Sequence, residues 1–199
     1  LVEQAGAVDS TPQPPAVQPT SVPLEAAATV EPMSAGHAKI NMELVGQSGG
    51  TVFAAAARDE IAWIGVGPRL AALDVSDPSK PRLISQTKVF PGVVHDIALD
   101  GDYAYVADYD GGLGVVDISD PQDMREIGAY DMEIYAEAVR VAGKYAFVAS
   151  NAMGLTVVDI ADPSQPQKAG YYAHPGLGMS VALAGDYAYV AEYQSGIGV

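Results

Sequence analysis

The chain has 199 residues, 25 of them acidic and 10 basic, and its formal charge of -15 opposes binding to a phosphate backbone. Hydrophobic residues make up 49%, enough for a packed core, yet no run nears the ~18 consecutive apolar residues of a membrane-spanning helix. The absence of cysteine excludes disulfides, thiolate zinc sites, iron–sulfur clusters and cysteine nucleophiles together.

Residues 1–36 hold six of the 14 prolines, four acids and neither lysine nor arginine, and every aromatic residue lies at or after Phe53. Such a segment cannot bury enough apolar surface to offset the entropy of ordering. Residues 1–38 are therefore expected to form a disordered, proline-rich linker and residues 39–199 the folded part. No basic region followed by an apolar run stands near Leu1, so any signal peptide is expected to be missing or already removed. Ile40 to Gly46 reads as a lone outer strand that pairs with a distant part of the full-length protein.

From about residue 46 onward the chain repeats itself. Gly101-Asp102-Tyr103-Ala104-Tyr105-Val106-Ala107 recurs from Gly143 and again from Gly185, 42 residues apart each time. Asp74-Val75-Ser76-Asp77-Pro78 returns from Asp117 and from Asp159 with nearly the same period. The units fall at about 46–88, 89–131, 132–173 and a partial 174–199. The second unit shows four predicted strands best: Val94 to Leu99, Tyr103 to Asp108, Leu113 to Ile118 and Arg125 to Tyr130. Asp100-Gly101 and Gly111-Gly112 supply turns that tolerate positive φ, and Ser119-Asp120-Pro121 ends the third strand. Neither face of Tyr103 to Ala107 is polar, so each sheet must be covered on both sides by its neighbours. Four-stranded units of this length, stacked face to face, specify an all-β fold: a β-propeller with about three and a half blades present.

Gly112-Leu113-Gly114-Val115-Val116-Asp117-Ile118-Ser119-Asp120-Pro121 and its copy from Gly154 resemble the LVIVD repeat. That resemblance implies propeller blades on exported or surface-attached proteins, with six to eight blades expected in a complete ring and a closure of four as the alternative. The sequence stops at Ser195 to Val199, inside a repeated strand, and so reads as a fragment of a longer protein. The copy from Leu70 to Pro78 is weaker, with Ile61-Ala62-Trp63-Ile64 in place of the tyrosine strand.

Propeller ligands usually sit where the first strands begin and the second strands end. The repeat phase places Val52, His95, Glu137 and Met179 at the first position and Asp108, Ser150 and Glu192 at the second. His95, Asp108, Glu137 and Glu192 are thus the candidate ligand-binding residues at the channel mouth, with a cation or a cationic group as one ligand and a wet channel as the plain alternative. Asp108-Tyr109-Asp110-Gly111-Gly112 lacks the later ligands of a calcium loop and reads as a turn. Asp74, Asp117 and Asp159 read as turn caps. Tyr109, Tyr171, Tyr172 and Tyr193 fall in loops or strand ends, where packing and recognition both remain open. His37, His95 and His174 differ too much in phase to form a metal triad, and no catalytic, phosphate-loop or dinucleotide motif occurs, so no catalytic residue, metal ligand or cofactor is assigned.

The expected function is that of a non-enzymatic, extracytoplasmic module, secreted or attached to the cell surface, binding a protein or a glycan. Two alternatives stand beside it: a metal-dependent hydrolase or lactonase with an acidic channel site, and a structural spacer in a larger surface protein. Neither nucleic acid nor membrane insertion of this chain is expected.

Overall fold

The computed structural model describes residues 52–199 apart from 133, 152, 153, 174 and 175. The expectations for residues 1–38, for a strand over Ile40 to Gly46, and for His37 and His174 lie outside the described residues. Every regular element among the described residues is a strand. The first sheet holds β1 (Val52–Arg58), β2 (Ile61–Val66), β3 (Leu70–Asp74) and β4 (Arg82–Gln86). The second holds β5 (Asp96–Asp100), β6 (Tyr103–Asp108), β7 (Gly112–Asp117) and β8 (Arg125–Tyr130). The third holds β9 (Ala136–Ala142), β10 (Tyr145–Ser150), β11 (Gly154–Asp159) and β12 (Gln167–Tyr172). The fourth holds β13 (Gly178–Ala184), β14 (Tyr187–Glu192) and β15 (Gly196–Gly198). Each is an antiparallel meander in chain order, and the first strands of successive sheets lie side by side as the innermost layer.

In the second sheet the inner strand begins at Asp96 rather than Val94. The Val94 N–H donates instead to the carbonyl of Gly67, 3.0 Å away, and ties the incoming chain to the preceding sheet.

Local chemistry sets the turns. The β5–β6, β9–β10 and β13–β14 hairpins place Gly101, Gly143 and Gly185 at φ of +51°, +57° and +57°. In the first sheet Asp59 takes that role at +56°, a conformation that strains a side-chain-bearing residue. Asp59→Gly should therefore stabilise the chain by about 0.5 kcal/mol, the released strain exceeding glycine's extra chain entropy. The measurement is a higher urea midpoint at unchanged slope. In the next turn positive φ falls on Tyr109 and on Gly112, the second glycine of the expected Gly111-Gly112 pair. Gly111 is needed for space, because a Cβ there would run into the Asp108 carboxylate.

Asp74, Asp117 and Asp159 cap their turns as expected, each Oδ1 accepting the N–H two residues on, at 2.9 Å. Hydrogen bonds from the Ser76 side chain and backbone, with Arg82 behind them, hold the Asp74 carboxyl down to about 2. Ser119 lowers Asp117 in the same way. A lowered carboxyl stabilises the fold above its ordinary value and loses that contribution as acid protonates it.

Alternate residues of each second strand feed opposite interfaces. Ala104 and Val106 join a core with Trp63, Leu70, Phe90 and Val116 between the first and second sheets. Tyr105 and Ala107 join another with Val139, Ala146 and Val148 between the second and third. A third core around Val181, Val190 and Leu155 joins the last two sheets. Rings over small residues fill each gap, and no sheet could bury its apolar faces alone.

Candidate functional site

One end of the stacked sheets is the mouth, where β1, β5, β9 and β13 begin and β2, β6, β10 and β14 end. Three inner strands carry a register shift there, between Val52 and Ala55, between the partners of Ala149 and Ser150, and between Gly178 and Ser180. Such bulges re-aim a side chain out of the ladder. The residues set aside from the ladder are Glu137 and Met179 and, at the same phase, Phe53, while His95 stands immediately before β5. Counting by the period places Val52 with this set; the bulge shifts the equivalence by one residue, to Phe53.

Four rings from three sheets stack across this mouth. Phe53 lies over His95 at 5.2 Å between ring centroids, His95 over Tyr109 at 4.4 Å, and Tyr109 over Tyr135 at 4.3 Å, with interplanar angles of 24° or less. His95 Nδ1 meets Glu137 Oε2 at 2.9 Å, and Asn151 Nδ2 donates to Glu137 Oε1 at 3.0 Å. Both carboxylate oxygens are thus engaged in holding the column. The Ala136 N–H donates to the Tyr109 carbonyl at 2.9 Å and fixes that residue at φ +25°, an unusual conformation for a bulky side chain. Partial desolvation, with Glu137 and Tyr135 nearby, pushes the Tyr109 phenol up from its ordinary value. The two ends of the column remain open to solvent: Phe53 is 61% exposed and Tyr135 45%. Met179 and Tyr193, the fourth sheet's counterparts of His95 and Tyr109, are also exposed.

The four residues singled out by phase divide into two kinds. His95 and Glu137 are in direct contact within the mouth. Asp108 and Glu192 are buried, 2% and 5% exposed, beneath the connections that lead into β5 and β13. The Gly92 N–H donates to Asp108 at 3.0 and 3.2 Å, and a Cβ on Gly92 would come 2.6 Å from the Asp108 carbonyl. Gly176 stands over Glu192 in the same way, its Cβ position 2.7 Å from Oε2. In the third sheet the pair is Ile134 with the small, buried Ser150. The acids therefore vary with the residue above them, glycine over acid and isoleucine over serine. Burial pushes the Asp108 carboxyl up to about 6, with Glu126 and Asp110 adding repulsion against the Gly92 hydrogen bond. Among the described residues no three His, Cys, Asp or Glu side chains gather as a metal-holding group, so the four do not form one cation cluster.

Sequence reasoning placed Tyr109 at a strand end but missed Phe53, Tyr135 and Asn151 as members of one site. Their meeting depends on the bulges and on inter-sheet stacking.

Consecutive meanders, three of four strands and one of three, stacked with their inner strands side by side around one aromatic mouth, define a β-propeller repeat protein. The LVIVD repeat family model matches residues 56–88, 91–132, 135–174 and 175–198, and the chain belongs to that family. Among solved structures, the crystal structure of the computationally designed Ika4 protein is 14% identical at a TM-score of 0.65, with 80% of this chain and 97% of Ika4 covered. The computationally designed Ika8 protein is 13% identical at a TM-score of 0.61, with 73% of this chain and 44% of Ika8 covered. These likenesses bear on the fold alone. No curated protein matches the chain.

Proposed function

We infer that the chain is a non-enzymatic binding module whose mouth takes a glycan. The observation that carries this reading is the four-ring column. A strained tyrosine and an engaged glutamate hold aromatic surface toward solvent at a place where the cores between sheets do not use it. Flat ring faces on Phe53 and Tyr135 suit the apolar face of a sugar, and the amide and carboxylate beside them suit its hydroxyls. Rigid sheets hold these groups in place, so little ordering entropy is lost on association. An extracytoplasmic setting accords with the family resemblance and with the acidic surface, which keeps the protein soluble and away from anionic lipid.

The test is calorimetric titration with soluble oligosaccharides, after an array screen to choose them. Phe53→Ala and Tyr135→Ala should each weaken binding about tenfold or more, while Tyr187→Ala, exposed on the far face of the fourth sheet, should not. If no sugar binds, or if the mouth variants bind as well as the parent, the reading fails.

A further inference from the structure

The opposite end of the sheets carries a second, independent feature. Between the first and second sheets lies a cleft of about 940 Å³. It is bounded by the β1–β2 turn with Asp59 and Glu60, the β5–β6 turn with Asp102, and the β7–β8 connection with Asp120. None of these four carboxylates has an ionic partner among the described residues, whereas Asp74, at the cleft's edge, is paired with Arg82 at 2.6 Å. Trp63 forms the floor. It is 2% exposed, and its indole Nε1 has no hydrogen-bond acceptor among the described residues. The Arg58 guanidinium lies over the ring, 5.6 Å from its centroid, held there by a 2.6 Å hydrogen bond to the Gly101 carbonyl. In the second and third sheets the equivalent ring is Tyr105 and Phe147, neither of which brings an indole N–H into its interface.

We propose that this cleft binds an extended, basic peptide segment of a partner protein. Two requirements coincide here and select that chemistry. The carboxylates call for cationic side chains, and the buried indole N–H calls for an acceptor that no neighbour supplies. A peptide rich in lysine and arginine brings both, since its backbone carbonyls accept while its ammonium and guanidinium groups reach Asp59, Glu60 and Asp102. Its methylene stems lie against Ile84 and Ile118 of the cleft wall. A polyamine brings the charge without the acceptor, and a nucleic acid brings the wrong sign. Arg58 moves aside from the ring face, and the incoming carbonyl approaches the indole edge in the ring plane, where the N–H points. This site shares no residue with the ring column, so it stands or falls apart from the glycan reading.

The chain has one tryptophan, and it is the cleft floor, so tryptophan emission, excited apart from that of the 11 tyrosines, reports on this site. The probe is a short acetylated, amidated peptide of alternating lysine and arginine, titrated against the full chain. A saturable change in Trp63 emission is expected, with affinity falling as salt rises. Glu60→Gln combined with Asp102→Asn should weaken it about tenfold, and Glu60→Gln alone by a smaller factor. Tyr135→Ala should leave it unchanged. The proposal is overturned if no saturable change occurs, if spermine or a glycine–serine peptide of equal length gives the same response, or if the charge variants bind as tightly as the parent.

Discussion

Gly112→Ala is expected to destabilise the chain by roughly 3–5 kcal/mol, against about 1 kcal/mol for Gly101→Ala, although both glycines have positive φ. Gly101 sits at +51° with nothing within 4 Å of an added Cβ, so alanine there meets only backbone strain. Gly112 sits at +82°, and its Cβ would strike the Tyr130 carbonyl while lying 2.8 Å from the Met132 amide nitrogen. Those are main-chain atoms at the exit of β8, paired to β7 and unable to rotate away as a side chain would. Strain and overpacking therefore add. Urea unfolding of the two variants measures the difference directly. Equal losses would mean that the exit of β8 yields freely, and the close-approach argument would be wrong.

What the sequence reveals about this molecule follows from how local each device is. The hairpin glycines at 101, 143 and 185 and the aspartate caps at 74, 117 and 159 act within a few residues, so each copy carries its own signal and the period stands out. Alternation in Tyr103 to Ala107 likewise announces two covered faces, and both are buried in separate cores. The mouth was legible only in part. His95 and Glu137 follow from phase, yet the bulges that set Phe53, Glu137 and Met179 out of the ladder arise from pairing between strands and leave no mark on the period. The ring column joins residues of three repeats and could be found only once the sheets were stacked. By contrast, the burial of Asp108 and Glu192 beneath their connections was legible in the sequence. Gly92 and Gly176 accompany the acids, and Ile134 accompanies Ser150, a covariation seen only when positions are compared in pairs. For Trp63, the sequence shows a departure from the tyrosine pattern. The unmet N–H depends on which acceptors the neighbouring sheet supplies.

Asp108 gives the second large effect, and it depends on pH. The carboxyl titrates near 6 in the folded chain because burial disfavours its charged form, whereas an ordinary aspartate titrates near 3.8. Between those values the folded state binds more protons than the unfolded one, so this group's contribution falls as pH rises from about 4 to about 6 and stays low above that. A separation of about two pH units corresponds to roughly 3 kcal/mol. Asp108→Asn keeps the shape and an acceptor for the Gly92 N–H but has no charge to bury. The variant should therefore melt several degrees above the parent at pH 7.5, and the gap should close by pH 4.5, where the parent's carboxyl is neutral. Melting curves across that range decide the matter. A parent that is the more stable at pH 7.5, with a gap that does not shrink in acid, would show the buried charge to be favourable and the desolvation argument mistaken.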